Sequence, residues 1–217
     1  MEIIKSSSLA DIVFDKLEAS ILSGEYSAGE ILTELGLSQQ LNVSRTPVRE
    51  AIRRLQQENL VKEVGKGVKV VGVSISDLAD IFEIRSRVEG LAAKKCAEKI
   101  TDDQINELNE ILELQEFYTF KGVADSINNA DTEFHKKIYE VCGSDIYSSM
   151  LSDLHKRVQQ FRKISVENSD RAVNAHKEHR QIFEAIKSRD GKLAEKLTVK
   201  HITNAMESIM NSIATED

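Results

Sequence analysis

Proline is almost missing: Pro47 stands alone in 217 residues, beside ten glycines and no tryptophan. Strand-rich chains need turn residues between their many short elements, so this scarcity excludes an all-β architecture and predicts a mainly helical chain. Cysteine is nearly absent too. Cys96 and Cys142 lie far apart, in no C-x-x-C pair, which excludes a disulfide scaffold and a zinc-finger framework. Each sits in an apolar helical pattern and reads as a reduced structural thiol. No apolar run is long enough to span a bilayer, and Met1-Glu2-Ile3-Ile4-Lys5 opens no signal peptide, so the expectation is a cytoplasmic protein with no membrane partner.

Positive charge is in deficit overall, with a net charge of −7. Its distribution is uneven. Residues 44–69 hold seven Lys/Arg against three Glu, a net of four positive charges, whereas residues 74–217 hold twenty against twenty-six Asp/Glu. A local basic patch on an acidic body can take a phosphate backbone while discouraging other polyanion contacts.

The basic segment is built on Val43-Ser44-Arg45-Thr46-Pro47-Val48-Arg49-Glu50-Ala51-Ile52-Arg53-Arg54-Leu55. Ser44 suits an N-cap, and Pro47 falls in the first turn, where a missing N–H is tolerated. Val48, Ile52 and Leu55 form one apolar stripe, and Arg45, Arg49 and Arg53 form another turned away from it. An apolar back with an arginine front suits a recognition helix in a major groove; the alternative is a solvated charged face. The neighbours favour recognition. A helix over 9–23 with Ser8 as cap precedes it. A short helix over 34–41, with Leu35 and Leu41 inward and Asn42 closing it, makes a helix-turn-helix with the basic one. The β-branched runs 60–64 and 68–73 around Gly65-Lys66-Gly67 then predict a hairpin, or wing, with Lys66 at its tip.

With the continuation Glu58-Asn59-Leu60-Val61, this segment resembles the signature of the GntR family of bacterial transcription regulators. The resemblance implies a winged helix-turn-helix over 1–73 that binds double-stranded DNA. It implies Ser44 and Thr46 on phosphates, Arg45 and Arg49 on bases or phosphates, Arg53 and Arg54 on phosphates, and Gly65, Lys66 and Gly67 at the minor groove. Leu35 departs from members with a basic residue there, so no contact is expected from it.

From Ser74 on, the pattern is helical throughout. Ser76 is placed to cap a helix to about Ile100, and Thr101-Asp102-Asp103-Gln104 is a capping box for a helix to about Phe120. Further helices are expected over 123–142, 145–165, 169–188 and 191–213, with breaks at Cys142-Gly143-Ser144, near Asn168-Ser169 and at Arg189-Asp190-Gly191. The region 74–217 thus reads as an all-α antiparallel bundle of six helices.

All five histidines lie there. Asp131 and His135 are one turn apart on one helix face. His179 and His201 stand eleven residues either side of Asp190, so in an antiparallel pair they come out level. One carboxylate and three imidazoles converging in a bundle suit a divalent metal, zinc first, with nickel or manganese as alternatives. Solvated or core-satisfied histidines are the competing explanation. His155 could face the same cavity and His176 precedes His179 by one turn; both read as outer-layer or surface residues. Arg85 and Arg162 are candidate clamps for an anionic ligand, the alternative being ordinary salt bridges.

Residues 83–93, 130–138, 178–186 and His201 resemble the FCD domain of the FadR-type branch of the same family, in its six-helix, VanR-like subtype. The resemblance implies Asp131, His135, His179 and His201 as metal ligands, a small carboxylic acid as effector, and a homodimer that reads a palindromic operator, more often as a repressor. Ser144 stands where the family often has Asn, with only local consequences expected. Two other functions remain to be weighed. The metal could itself be the signal, or the site could be a metal-dependent hydrolase. The latter needs a general base beside the metal, and Glu133 and Glu178 fall off the ligand positions.

Overall fold

A computed structural model describes residues 8–159, 161–162 and 169–216. The break expected near Asn168-Ser169 and the end of the helix expected to 165 fall partly outside these residues. The chain divides into two compact units, Met1–Ser74 and Ile75–Asp217.

In the first unit, helix α1 (Leu9–Leu22) starts at a capping box in which Ser8 and Asp11 satisfy each other's backbone N–H. Its buried face of Val13, Phe14, Leu17 and Ile21 packs on α3 (Arg45–Gln57), whose Val48, Ala51, Ile52 and Leu55 are buried in turn. Full burial of one such side chain contributes about 1.5–3 kcal/mol, so this apolar pair of faces anchors the unit. Between them in the chain comes α2 (Glu34–Leu41), capped by Thr33 and ended by Asn42 in the left-handed region, φ 53°. Leu35 corrects the expectation that it faces inward: it is 56% exposed, and Leu37 and Ser38 are buried instead. A helix of eight residues offers the core only a narrow stripe, and Leu37 with Leu41 one turn on occupies it.

The wing is a three-stranded antiparallel sheet in the order β1-β3-β2, where β1 is Ile31–Leu32, β2 is Val61–Val64 and β3 is Gly67–Val70. Val64 pairs with Gly67 and Val61 with Val70, while Ile31 pairs with Lys69. The sequence reading missed β1. Its two residues are too few to show a period, although Ile31-Leu32-Thr33 after Gly29 is a plausible strand signal.

The second unit is helical. Helix α4 (Ile75–Lys99) packs against α9 (Gly191–Glu216), and α5 (Asp102–Lys121), α6 (Ala124–Val141), α7 (Asp145–Arg157) and α8 (Ser169–Lys187) complete the bundle. Small residues set the α4–α9 approach. A Cβ on Gly90 would lie 2.9 Å from the Val199 side chain, and Ala92 and Ala93 are fully buried beside it. Thr101 and Gln104 form the expected capping box of α5, and Gly122 ends that helix at φ 67°. Ser144 caps α7 by accepting from the Tyr147 N–H. Helix α7 ends at Arg157, short of 165. Val158 forms a turn there, and the helical residues after it bring Arg162 back to face α6.

Candidate functional site

Two groups of residues carry chemistry, one in each unit. In the first, α3 buries its apolar stripe and turns Arg45, Arg49 and Arg53 outward, all exposed, together with Ser44 and Thr46. Ser44 has N-cap backbone geometry, but its hydroxyl makes no cap hydrogen bond. The arginines divide by partner. Glu34, in the first turn of α2, accepts two hydrogen bonds from Arg49, Nε at 2.9 Å and a terminal nitrogen at 3.0 Å, and one from Arg45 at 3.0 Å. The Arg49 hydrogen bond is the main reason that the Glu34 carboxyl falls to about 2. Arg54 turns the other way. It bonds Asp11 of α1 at 2.7 Å, and its guanidinium lies 3.8 Å over the Phe14 ring, so any phosphate contact has to compete with this tie.

At the wing tip Gly65 and Lys66 are the exposed two-residue turn. Gly65 supplies the positive φ, 54°, that such a turn asks of its first residue, and open space surrounds it. Gly67 is glycine for another reason. A Cβ there would lie 2.4 Å from the Leu32 carbonyl, so its bareness makes room for β1.

In the second unit α6, α8 and α9 deliver His135, His179 and His201 to one buried point, with one ring nitrogen from each within 4.8 Å of the others. His179 and His201 face each other Nε2 to Nε2 at 3.2 Å. Their far nitrogens are engaged. His201 Nδ1 is 2.7 Å from a Glu178 carboxylate oxygen, and His179 Nδ1 is 2.9 Å from Gln115 Oε1. His135 Nδ1 lies 3.1 Å from Glu89, whose other oxygen accepts from Arg85 Nε at 2.6 Å. Sequence reasoning gave none of Glu89, Gln115 and Glu178 this role. Gln115 had a signal: it continues the buried stripe Leu108 and Leu112 by three residues, a polar group where the pattern asks for an apolar one.

The electrostatics keep His179 and His201 neutral. Burial holds His179 well below the ordinary histidine range, and the neighbouring His201 and His135 add to it. Burial likewise lowers His201 to about 4 against the opposing pull of Glu178. Burial would raise Glu178, but hydrogen bonds from His201 and Asn204 and the charge of Arg171 bring it down to about 2. An ionised carboxylate only accepts, so His201 Nδ1 carries the proton and its Nε2 presents a lone pair. Gln115 Oε1 sets the same tautomer for His179. Two lone pairs then face each other at 3.2 Å, an arrangement that repels unless a cation lies between them. Hydrogen bonds that fix each ring from behind are also how metal-binding histidines are oriented. The donor set thus fits a divalent metal.

Asp131 lies beside this point, 3.7 Å from His179 Nε2 and 3.9 Å from His135 Nε2, but its carboxylate is ion-paired with Arg162. The same guanidinium contacts His155 Nε2. His155 is buried, with its ring centroid 5.4 Å from that of His135, so it lies behind Arg162 in the outer layer of the site and not at the surface. His176 stands apart, 3.8 Å from Glu116. Arg85 and Arg162 both line a cavity of about 40 Å³ with Asp131, His135 and His201. Glu133 is exposed and pairs with Lys136 at 3.7 Å, so it supplies no general base here.

Residues 9–70 match the family described as bacterial regulatory proteins, gntR family, and residues 80–204 match the FCD domain. The HTH-type transcriptional repressor RspR of Escherichia coli is 25% identical over 91% of this chain and 87% of its own. The gluconate operon transcriptional repressor of Bacillus licheniformis is 25% identical over 81% and 74%. Escherichia coli McbR/YncC shares the fold, with a TM-score of 0.82 and 24% identity across 95% of this chain and 99% of that one. Among the described residues no helix is long and apolar enough to cross a membrane. The chain belongs to the GntR family of bacterial regulatory proteins, with an FCD domain after its helix-turn-helix, and is a transcriptional regulator and not an enzyme.

Proposed function

We propose that this regulator represses its target genes by binding a palindromic operator as a homodimer in the cytoplasm, and that a small carboxylic acid bound at a metal ion in the second unit controls it. The observation that carries the reading is the convergence of three buried imidazoles on one point, each fixed from behind by Glu89, Gln115 or Glu178. Asp131, His135, His179 and His201 would hold the metal, zinc by preference for nitrogen and oxygen donors, with nickel or manganese also compatible. The metal would supply a positive charge able to take a carboxylate oxygen of the effector.

Arg162 links the two ligands. Its guanidinium now occupies Asp131. For Asp131 to join the histidines, Arg162 has to release it, and a freed guanidinium is then placed to pair with an incoming carboxylate. A cavity of about 40 Å³ has room for an ion and a water or two, at roughly 10–15 Å³ each, but not for an organic acid. Movement of Arg162 would enlarge it. Arg85 is spoken for by Glu89, which favours a role in fixing His135 over one in holding the effector. In the first unit, Arg45 and Arg49 would read bases, Arg53, Ser44 and Thr46 would take phosphates, and Lys66 at the wing tip would reach the minor groove. The repressor sense follows the names of the relatives in Escherichia coli and Bacillus licheniformis.

Elemental analysis of the purified protein tests the site. One equivalent of metal is expected in the wild type, and none in a His135→Ala/His201→Ala double variant. A full equivalent in the double variant would move the site elsewhere. A second reading, in which the metal is itself the signal, predicts that chelation alone changes operator affinity; unchanged affinity after the metal has been stripped would exclude it.

A further inference from the structure

We propose that Glu34 is a specificity-determining residue of the DNA-binding face: it positions Arg45 and Arg49 together and holds down their binding to phosphate alone. The carboxylate stands on α2 and reaches across the turn to both arginines, with bonds of 2.9 and 3.0 Å to Arg49 and 3.0 Å to Arg45. Arg49 is engaged through two nitrogens, which fixes the plane of its guanidinium as well as its place. Both arginine side chains remain more than half exposed, while Glu34 is 28% exposed.

Exposed ion pairs of this kind add little to stability, so the fold gains little from the cluster. Its consequences fall on binding. A free arginine on a surface searches many rotamers, and each has to be frozen on contact with DNA. Glu34 freezes two of them beforehand. It accepts two of the five N–H donors of Arg49 and one of Arg45, and leaves the remaining donors of both facing away from it. A negative charge placed between the two cations also weakens their attraction for any phosphate that comes near, whatever the sequence. Non-specific binding is carried by that attraction, whereas reading a base edge needs a fixed donor. The carboxylate therefore suppresses the first and supports the second. It keeps its charge throughout the physiological range, since the Arg49 hydrogen bond lowers it to about 2.

The inference rests on Arg45 and Arg49 being DNA contacts. The test compares two 30-base-pair duplexes, one selected by the wild-type protein from a random pool and one of scrambled sequence, over a range of salt concentrations. Glu34→Gln, equal in size but uncharged, is expected to bind the scrambled duplex more tightly. Its salt dependence there should steepen by about one to two phosphates, at roughly 0.9 in log–log slope for each. The ratio of selected to scrambled affinity is expected to fall at least tenfold. Unfolding of Glu34→Gln, followed by circular dichroism, should match the wild type. A ratio and slope unchanged in Glu34→Gln would overturn the inference and leave the DNA contacts standing, as would an equal loss on both duplexes with a lowered unfolding midpoint. A wild type that cannot tell the duplexes apart would overturn the DNA contacts and this inference together.

Discussion

Single side chains decide most of the chemistry in this protein, and charge state is the first of their properties to have a measurable outcome. His155, His179 and His201 are buried and held below the ordinary histidine range. The unfolded chain takes up protons at these groups near pH 6.5, while folded His201 resists down to about 4. Protons therefore favour unfolding through that window. The metal-free protein should lose thermal stability steadily as pH falls from 6.5 towards 4 and recover it fully above 6.5. Each pH unit across the gap is worth about 1.4 kcal/mol for one such group. A melting temperature independent of pH between 7 and 5 would contradict the assignment of neutral, buried rings. At the other pole, truncation of Arg45 or Arg49 to alanine should cost about 1–3 kcal/mol of specific DNA binding if they read bases. Filter binding on the selected duplex measures it, and unaltered affinity in both variants would remove them from the interface. Truncation of Arg54 should instead appear in stability, because its partners are Asp11 and Phe14 of α1.

The wing shows what an element asks of its residues. Gly67→Ala places a Cβ 2.4 Å from the Leu32 carbonyl and should separate β1 from β3, lowering the unfolding midpoint of the first unit. Gly65→Ala meets no neighbour, so only its backbone strain counts, and it should cost less. Equal losses would mean that β1 contributes little. Long elements with a strong period were legible beforehand: α3 from its two stripes, α5 from its capping box, and the level placement of His179 and His201 from the turn between α8 and α9. The short α2 and the hairpin strands β2 and β3 were legible in place, but β1 and the burial pattern of α2 were not. The two residues of β1 carry no period, and the single inward face of α2 was assigned to Leu35 when Leu37 occupies it. The turn at Val158 was hidden for a different reason. Neither glycine nor proline marks it, and its effect is tertiary, the return of Arg162 to Asp131. Glu89, Gln115 and Glu178 were hard to assign for a similar reason: what they do depends on which imidazole each one meets across the bundle, and one-dimensional spacing does not carry that.

Charge is unevenly placed along the whole chain: residues 44–69 carry a net of four positive charges within a first unit that is otherwise acidic, and the second unit is acidic around a polar centre. The family matches follow the two units: residues 9–70 match the gntR family of regulatory proteins and residues 80–204 the FCD domain. In the proposed function, occupancy of the histidine cavity governs DNA affinity. The direct measurement is fluorescence anisotropy of the selected duplex at fixed salt, with zinc-loaded and metal-stripped protein, across a panel of two- to six-carbon carboxylic acids. At least one acid is predicted to weaken wild-type binding tenfold or more, only in the zinc-loaded state, and to leave His135→Ala/His201→Ala unaffected. An acid response of equal size in metal-stripped protein or in the double variant would contradict the account.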